Sequence, residues 1–138
     1  MKFATASALL FALVSIALGQ QVTFDPVYDN ANQSLLTVEC STGSNGLVTR
    51  NFTTFDSLPT FPFIGGAQAV EGFNSAQCGS CWNVTFNGTS ITVTAIDHAA
   101  SGFNIALSAM NNLTNGQAEQ LGVVQATATQ LNASDCGL

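Results

Sequence analysis

The stretch WNVTFNGTSITVTAID, residues 82–97, restricts the fold more than any other part of the chain. Trp82, Val84 and Phe86 alternate with Asn83 and Thr85, and Ile91, Val93 and Ala95 alternate on the return. Between the two runs, Asn87-Gly88 supplies the pair of residues that best tolerates positive φ at both centres of a type I′ turn. This is a β-hairpin with one apolar face, and it needs further strands to cover that face.

The rest of the chain supplies short candidates. QVTFDPVYD alternates up to Pro26 as an opening strand. QSLLTVEC reads as a second strand or extended segment ending at Cys40, and Asn45-Gly46 marks a turn after it. TTFDSLPTFPFIGGAQAV reads as a short helix capped at Thr54 and stopped by Pro59, followed by a loop punctuated by Pro and Gly. ALSAMNNL places Leu107, Met110 and Leu113 at helical spacing, with Ser108 as a cap and Asn115-Gly116 as the stop. VVQATATQL is a last strand. Short strands with one or two small helices predict a mainly β barrel or sandwich.

The N-terminus sets the compartment. Lys2 precedes an apolar run from Ala8 to Leu18 broken only by Ser15, and Ala17-Leu18-Gly19 ends in small residues where a signal peptidase reads. Residues 1–19 are therefore expected to be a secretory signal peptide, with Gln20 or Gln21 starting a mature domain over residues 20–138. The chain has no second apolar run to hold it in a bilayer. Without Lys2, Arg50 alone faces eight Asp and Glu, a formal charge of about −7. Such a surface cannot neutralise phosphates, so nucleic acid and anionic membranes are excluded as partners. Nothing in the sequence specifies an oligomeric state. Six Asn-x-Ser/Thr sequons, at Asn32, Asn51, Asn83, Asn87, Asn112 and Asn132, are glycosylation candidates in a secreted chain.

The run Cys78-Gly-Ser-Cys81-Trp82 resembles the surroundings of a papain-like nucleophile, but the inventory does not support one. Such a protease places its His and Asn about 130–150 residues downstream. Here 57 residues follow Cys81, and the single His, His98, lies beyond the hairpin. The residues after Trp82 form a strand, whereas a thiolate of that kind needs a helix N-terminus. A thioredoxin-like site would place the Trp ahead of the first Cys in a βαβ frame. A structural zinc site needs four ligands, and Cys40 and Cys136 stand alone. No metal or cofactor is expected. Four Cys in a small secreted domain read as two disulfides, for which three connectivities exist. Cys78 and Cys81 are expected to serve different partners, tying the hairpin base to the early chain and to the C-terminus.

The segments FDPVYD, CSTGSNGL, LPTFPFIGG, FNSAQCGSCW, AIDHAASGFNIAL and LTNGQAEQLG occur in the order characteristic of cerato-platanins. The resemblance covers essentially all of residues 20–138. It implies a six-stranded double-ψ β-barrel like the first domain of expansins, with disulfides Cys40–Cys78 and Cys81–Cys136. It also implies a fungal, non-enzymatic protein that binds N-acetylglucosamine oligomers of chitin or other wall oligosaccharides. Expansin-like wall loosening, elicitor activity and action on a host immune receptor go with that resemblance. A weak glycoside hydrolase and a surface-active assembly protein are the alternatives.

By the same resemblance Asp97 is the principal sugar-binding candidate, since a carboxylate accepts bonds from adjacent hydroxyls. Its competing role is to satisfy backbone N–H groups of its own loop. Asn104 would lie beside it, and Asp25 and Tyr28 are further candidates, the Tyr by stacking on a sugar face. His98 reads as a surface residue and Trp82 as core. Hydrolysis needs a second carboxylate roughly 5–9.5 Å across the bond. Asp25, Asp29 and Glu39 are available, but no motif sets one opposite Asp97, so binding without turnover is expected.

Overall fold

The computed structural model describes residues 19–138. The signal peptide assigned to residues 1–19 lies, up to residue 18, outside the described residues. Six strands form a closed barrel: β1 (Gln20–Phe24), β2 (Ile64–Ala67), β3 (Cys81–Phe86), β4 (Thr89–His98), β5 (Phe103–Ile105) and β6 (Val124–Leu131). Their order around the barrel is β1-β5-β2-β4-β3-β6, with β6 returning to β1. Two neighbouring pairs, β1 with β5 and β2 with β4, run parallel, and the others run antiparallel. This is the six-stranded double-ψ barrel that the resemblance implies. Closure leaves no free sheet edge.

The hairpin at 82–97 forms as its pattern dictates. Asn87 and Gly88 take φ of 49° and 81°, the two left-handed residues of the turn. Val84, Ile91 and Val93 point into the barrel and are buried, with Val22, Ile105 and Ala126 from other strands. Helix α1 (Leu107–Leu113) buries Met110 and Leu113 completely and packs on β4 and β1. Truncating a side chain so placed to Ala costs about 2–5 kcal/mol.

Three segments differ from the sequence expectation. QSLLTVEC is not a strand: Ser34 caps one 3₁₀ turn, Leu35–Thr37, through a 3.1 Å bond from Leu36 N–H. The segment's buried residues are Leu35, Val38 and Cys40, and the first two, three apart across the turn, have a helical rather than an alternating spacing. The helix at Thr54 is likewise a single 3₁₀ turn, Phe55–Ser57, and Thr54 makes no side-chain bond to its backbone. The Pro/Gly segment after it contains β2, held between β4 and β5. A second short helix, α2 (Ala118–Leu121), follows α1.

The cap of α1 is also not Ser108. Asp29, from the 3₁₀ turn Pro26–Asp29, accepts bonds from the N–H groups of Leu107 (2.7 Å) and Ser108 (3.0 Å) and from the Ser108 hydroxyl. These are donors the helix leaves unsatisfied at its start. Two disulfides join Cys40 to Cys78 and Cys81 to Cys136. They fasten the base of the hairpin to the early chain and to the segment after β6.

Candidate functional site

The site begins with an irregularity in β4. Ala95 pairs with Gly65 of β2, but the next pair is Asp97 with Gly66, so Ile96 is an extra residue opposite no partner. Strict alternation from Ile91, Val93 and Ala95 would aim Asp97 into the barrel. The bulge shifts the phase by one, keeps both Ala95 and Ile96 buried, and turns Asp97 to the outer face. Two consecutive amides hold it there: Cys40 N–H donates to the Ile96 carbonyl (3.1 Å) and Glu39 N–H to Asp97 Oδ1 (3.1 Å).

Gly66 also pairs with Asn104 of β5, and Asn104 with Thr23 of β1. Thr23, Asn104, Gly66 and Asp97 therefore form one row across four strands, with side chains on a common face. The Thr23 hydroxyl donates to Asn104 Oδ1 (3.0 Å). At Gly66 the row carries no side chain, and it can carry none: the backbone of His98 crosses close above it, and a Cβ there would stand 2.8 Å from the His98 carbonyl oxygen.

Asp97 accepts three bonds. Besides Glu39 N–H, its Oδ1 takes the N–H of His98 (3.0 Å), and its Oδ2 takes the phenol of Tyr28 (2.9 Å). A carboxylate offers about four lone-pair positions, so about one remains, on Oδ2. The backbone-bonding role weighed for Asp97 is thus present alongside whatever it offers a ligand. Tyr28 is 5% exposed and lies against Phe55, ring centroids 6.0 Å apart. Its ring is too covered to serve as a stacking platform; its hydroxyl orients Asp97 instead. Burial, and after it the Asp97 charge, push the phenol pKa far above its ordinary value.

Asp25 caps the 3₁₀ turn that carries Tyr28, accepting from Val27 N–H at 3.0 Å. Asp25, Tyr28, Asp97 and Asn104 are thus connected through β1 and its following turn. The carboxylates nominated as hydrolytic partners have other positions: Asp25 and Asp29 cap helical turns, and Glu39 acts on Asp97 through its amide while its side chain is exposed. His98 is exposed with Nδ1 on the Val70 carbonyl (2.6 Å). Trp82 is half-buried rather than fully core. It meets Phe103 edge to face, donates Nε1–H to Ser80 Oγ (2.8 Å), and lines an opening of about 310 Å³ with Gln20 and Gln68. Among the sequons, Asn83 is half-buried on β3, and Asn32, Asn51, Asn87, Asn112 and Asn132 are exposed.

Thr23 and Gly66 are the row members that sequence reasoning did not name. The signals were present: Thr23 is an outward position of QVTF, and consecutive glycines in a strand mark a close backbone approach.

The family model for cerato-platanin matches residues 20–138. The chain belongs to the cerato-platanin family. Among curated relatives, a protein of Arthroderma benhamiae called an allergen Asp f 15 homolog is 50% identical over 145 residues, covering 99% of this chain and 70% of that one. Of the solved structures, cerato-platanin 2 from M. perniciosa superimposes with a TM-score of 0.84 at 50% identity, over 87% of this chain and 99% of that one. The solution structure of the fungal elicitor cerato-platanin gives 0.74 at 34% identity, over 84% and 95%. These cerato-platanins share the closed barrel described above.

Proposed function

We propose that this cerato-platanin is secreted and binds N-acetylglucosamine oligomers of chitin, or related wall oligosaccharides, along the outer row Thr23–Asn104–Gly66–Asp97, without hydrolysing them. The observation that carries the reading is the row itself. Asp97 and Asn104, both partly exposed, present a carboxylate and a carboxamide on one face of the sheet, separated by a Gly that places no side chain between them. Sugar hydroxyls and acetamido groups match that chemistry, and a neutral ligand suits a surface with a net charge of about −7 after loss of the leader.

Binding without turnover is supported by the positions of the carboxylates. The usual hydrolytic routes need a second carboxyl group aimed across the scissile bond. The structural duties of Asp25 and Asp29 commit both elsewhere, and of the three nominated partners only Glu39, exposed and bonded to Asp97 through its amide, is without such a duty. Wall loosening of the expansin kind follows from binding that competes with contacts between polysaccharide chains. Elicitor or immunomodulatory action, through a host receptor, is supported by the elicitor and allergen names of the relatives, and the exposure of five sequons supports glycosylation of the secreted form.

Calorimetric titration of the disulfide-intact protein with chitin oligomers, with reducing ends assayed in the same mixture, tests the reading. Heat of binding with no new reducing ends is the expected result. New reducing ends would make the protein a hydrolase, and absence of binding would remove the sugar.

A further inference from the structure

We infer that the mature chain is blocked at its N-terminus by a pyroglutamyl residue formed from Gln20. The inference rests on the leader reading of residues 1–19. Cleavage after Gly19 exposes the α-amine of a glutamine, the residue whose side-chain carboxamide reaches its own amine in a five-membered ring. The neutral amine attacks Cδ, the new N–Cδ bond forms, and the Cδ–Nε2 bond breaks. One proton passes from the amine to the departing nitrogen, which leaves as ammonia. Nothing is oxidised or reduced.

The structure supports Gln20, rather than Gln21, as the first residue. Strand β1 begins at Gln20, whose pairing with Ala126 opens the β1–β6 ladder, so a cut after Gly19 keeps the whole ladder and leaves no overhang. The Gln20 side chain is exposed and free of the interior. It stands with Gln68 on the rim of the opening floored by Trp82 and Phe103, and no charged side chain lines that opening. An open terminus would place an ammonium there. Ring closure removes the charge and leaves a planar, neutral lactam at the rim of an aromatic floor, with Arg50 the only Lys or Arg of the mature chain.

Mass spectrometry of the N-terminal peptide of the secreted protein decides the matter. The expected peptide begins at residue 20, is lighter by one ammonia than open glutamine, and yields to Edman degradation only after pyroglutamyl aminopeptidase. The Gln20→Ala variant should release alanine in the first cycle without that enzyme. An open amine on Gln20 would overturn the cyclisation and leave the leader reading standing. A first residue other than Gln20 would overturn the cleavage position, and this inference with it.

Discussion

Tyr28 and Asp97, 69 positions apart in the chain, are joined by a 2.9 Å bond from phenol to carboxylate. Tyr28 is the only tyrosine, so its titration can be followed without ambiguity. Because its folded pKa is raised, first by burial and then by the Asp97 charge, the native state keeps the proton that the unfolded chain releases near pH 10. The sign follows: this contribution is complete below about pH 10 and is lost as pH rises beyond it. The melting temperature should therefore fall in alkali together with the appearance of tyrosinate absorbance. In Tyr28→Phe the alkaline fall should be shallower, and stability near neutrality lower by about 1.5–3 kcal/mol, the range for a bond to a charged group.

Asn104 offers the cleaner probe of the proposed sugar row. Its side chain accepts from Thr23, whose hydroxyl also lies 3.4 Å from the Phe103 carbonyl. Asn104→Ala should change urea stability by no more than about 1 kcal/mol while weakening chitin-oligomer binding in calorimetry. Unchanged affinity would remove Asn104 from the row. Asp97→Ala should weaken binding too, but at a cost to the fold, because it leaves three donors without their acceptor.

Gly66→Ala should act on both stability and binding. The added methyl meets the backbone oxygen of His98 at 2.8 Å, which cannot swing aside as a side chain would. Overpacking of this kind costs about 1–3 kcal/mol, measurable as a lower denaturation midpoint. The backbone shift that relieves this contact also moves the paired residues Asn104 and Asp97, so chitin-oligomer affinity should fall as well.

Removal of the first disulfide should be felt at Asp97. Cys40 is bonded to Cys78, and the amides of Glu39 and Cys40 hold Asp97 and the bulge at Ile96. The paired variant Cys40→Ser with Cys78→Ser should lose about 2–5 kcal/mol and bind sugar more weakly even where it remains folded. NMR shifts of the Glu39 and His98 amides report the change directly.

The hairpin was legible in the sequence because alternation and turn chemistry agree over sixteen residues. Strands β2 and β5 were not: they have four and three residues, β2 contains two glycines, and neither is long enough to display a period. Leu35 and Val38 misled in the other direction, since apolar residues in a tight 3₁₀ turn look like strand residues when read locally. The pairing of Asp29 with the start of α1 joins segments 78 positions apart and has no local signature. At the site, Asp97, Asn104, Asp25 and Tyr28 came from the family resemblance. What periodicity could not supply is the outward aim of Asp97, because the bulge that turns it reverses the alternation on which the reading of β4 depends.

The seam between β1 and β6 also orders events during synthesis. The first strand to emerge has its antiparallel partner in the last, so β1 must wait, unpaired on that side, until nearly the whole domain has been translated. Cys40 and Cys78 can meet while the C-terminal strand is still unmade, whereas Cys136 follows β6 and can join Cys81 only afterwards. The first bond is thus available to the growing chain before the second, which can act only as a latch on a ring of strands already complete.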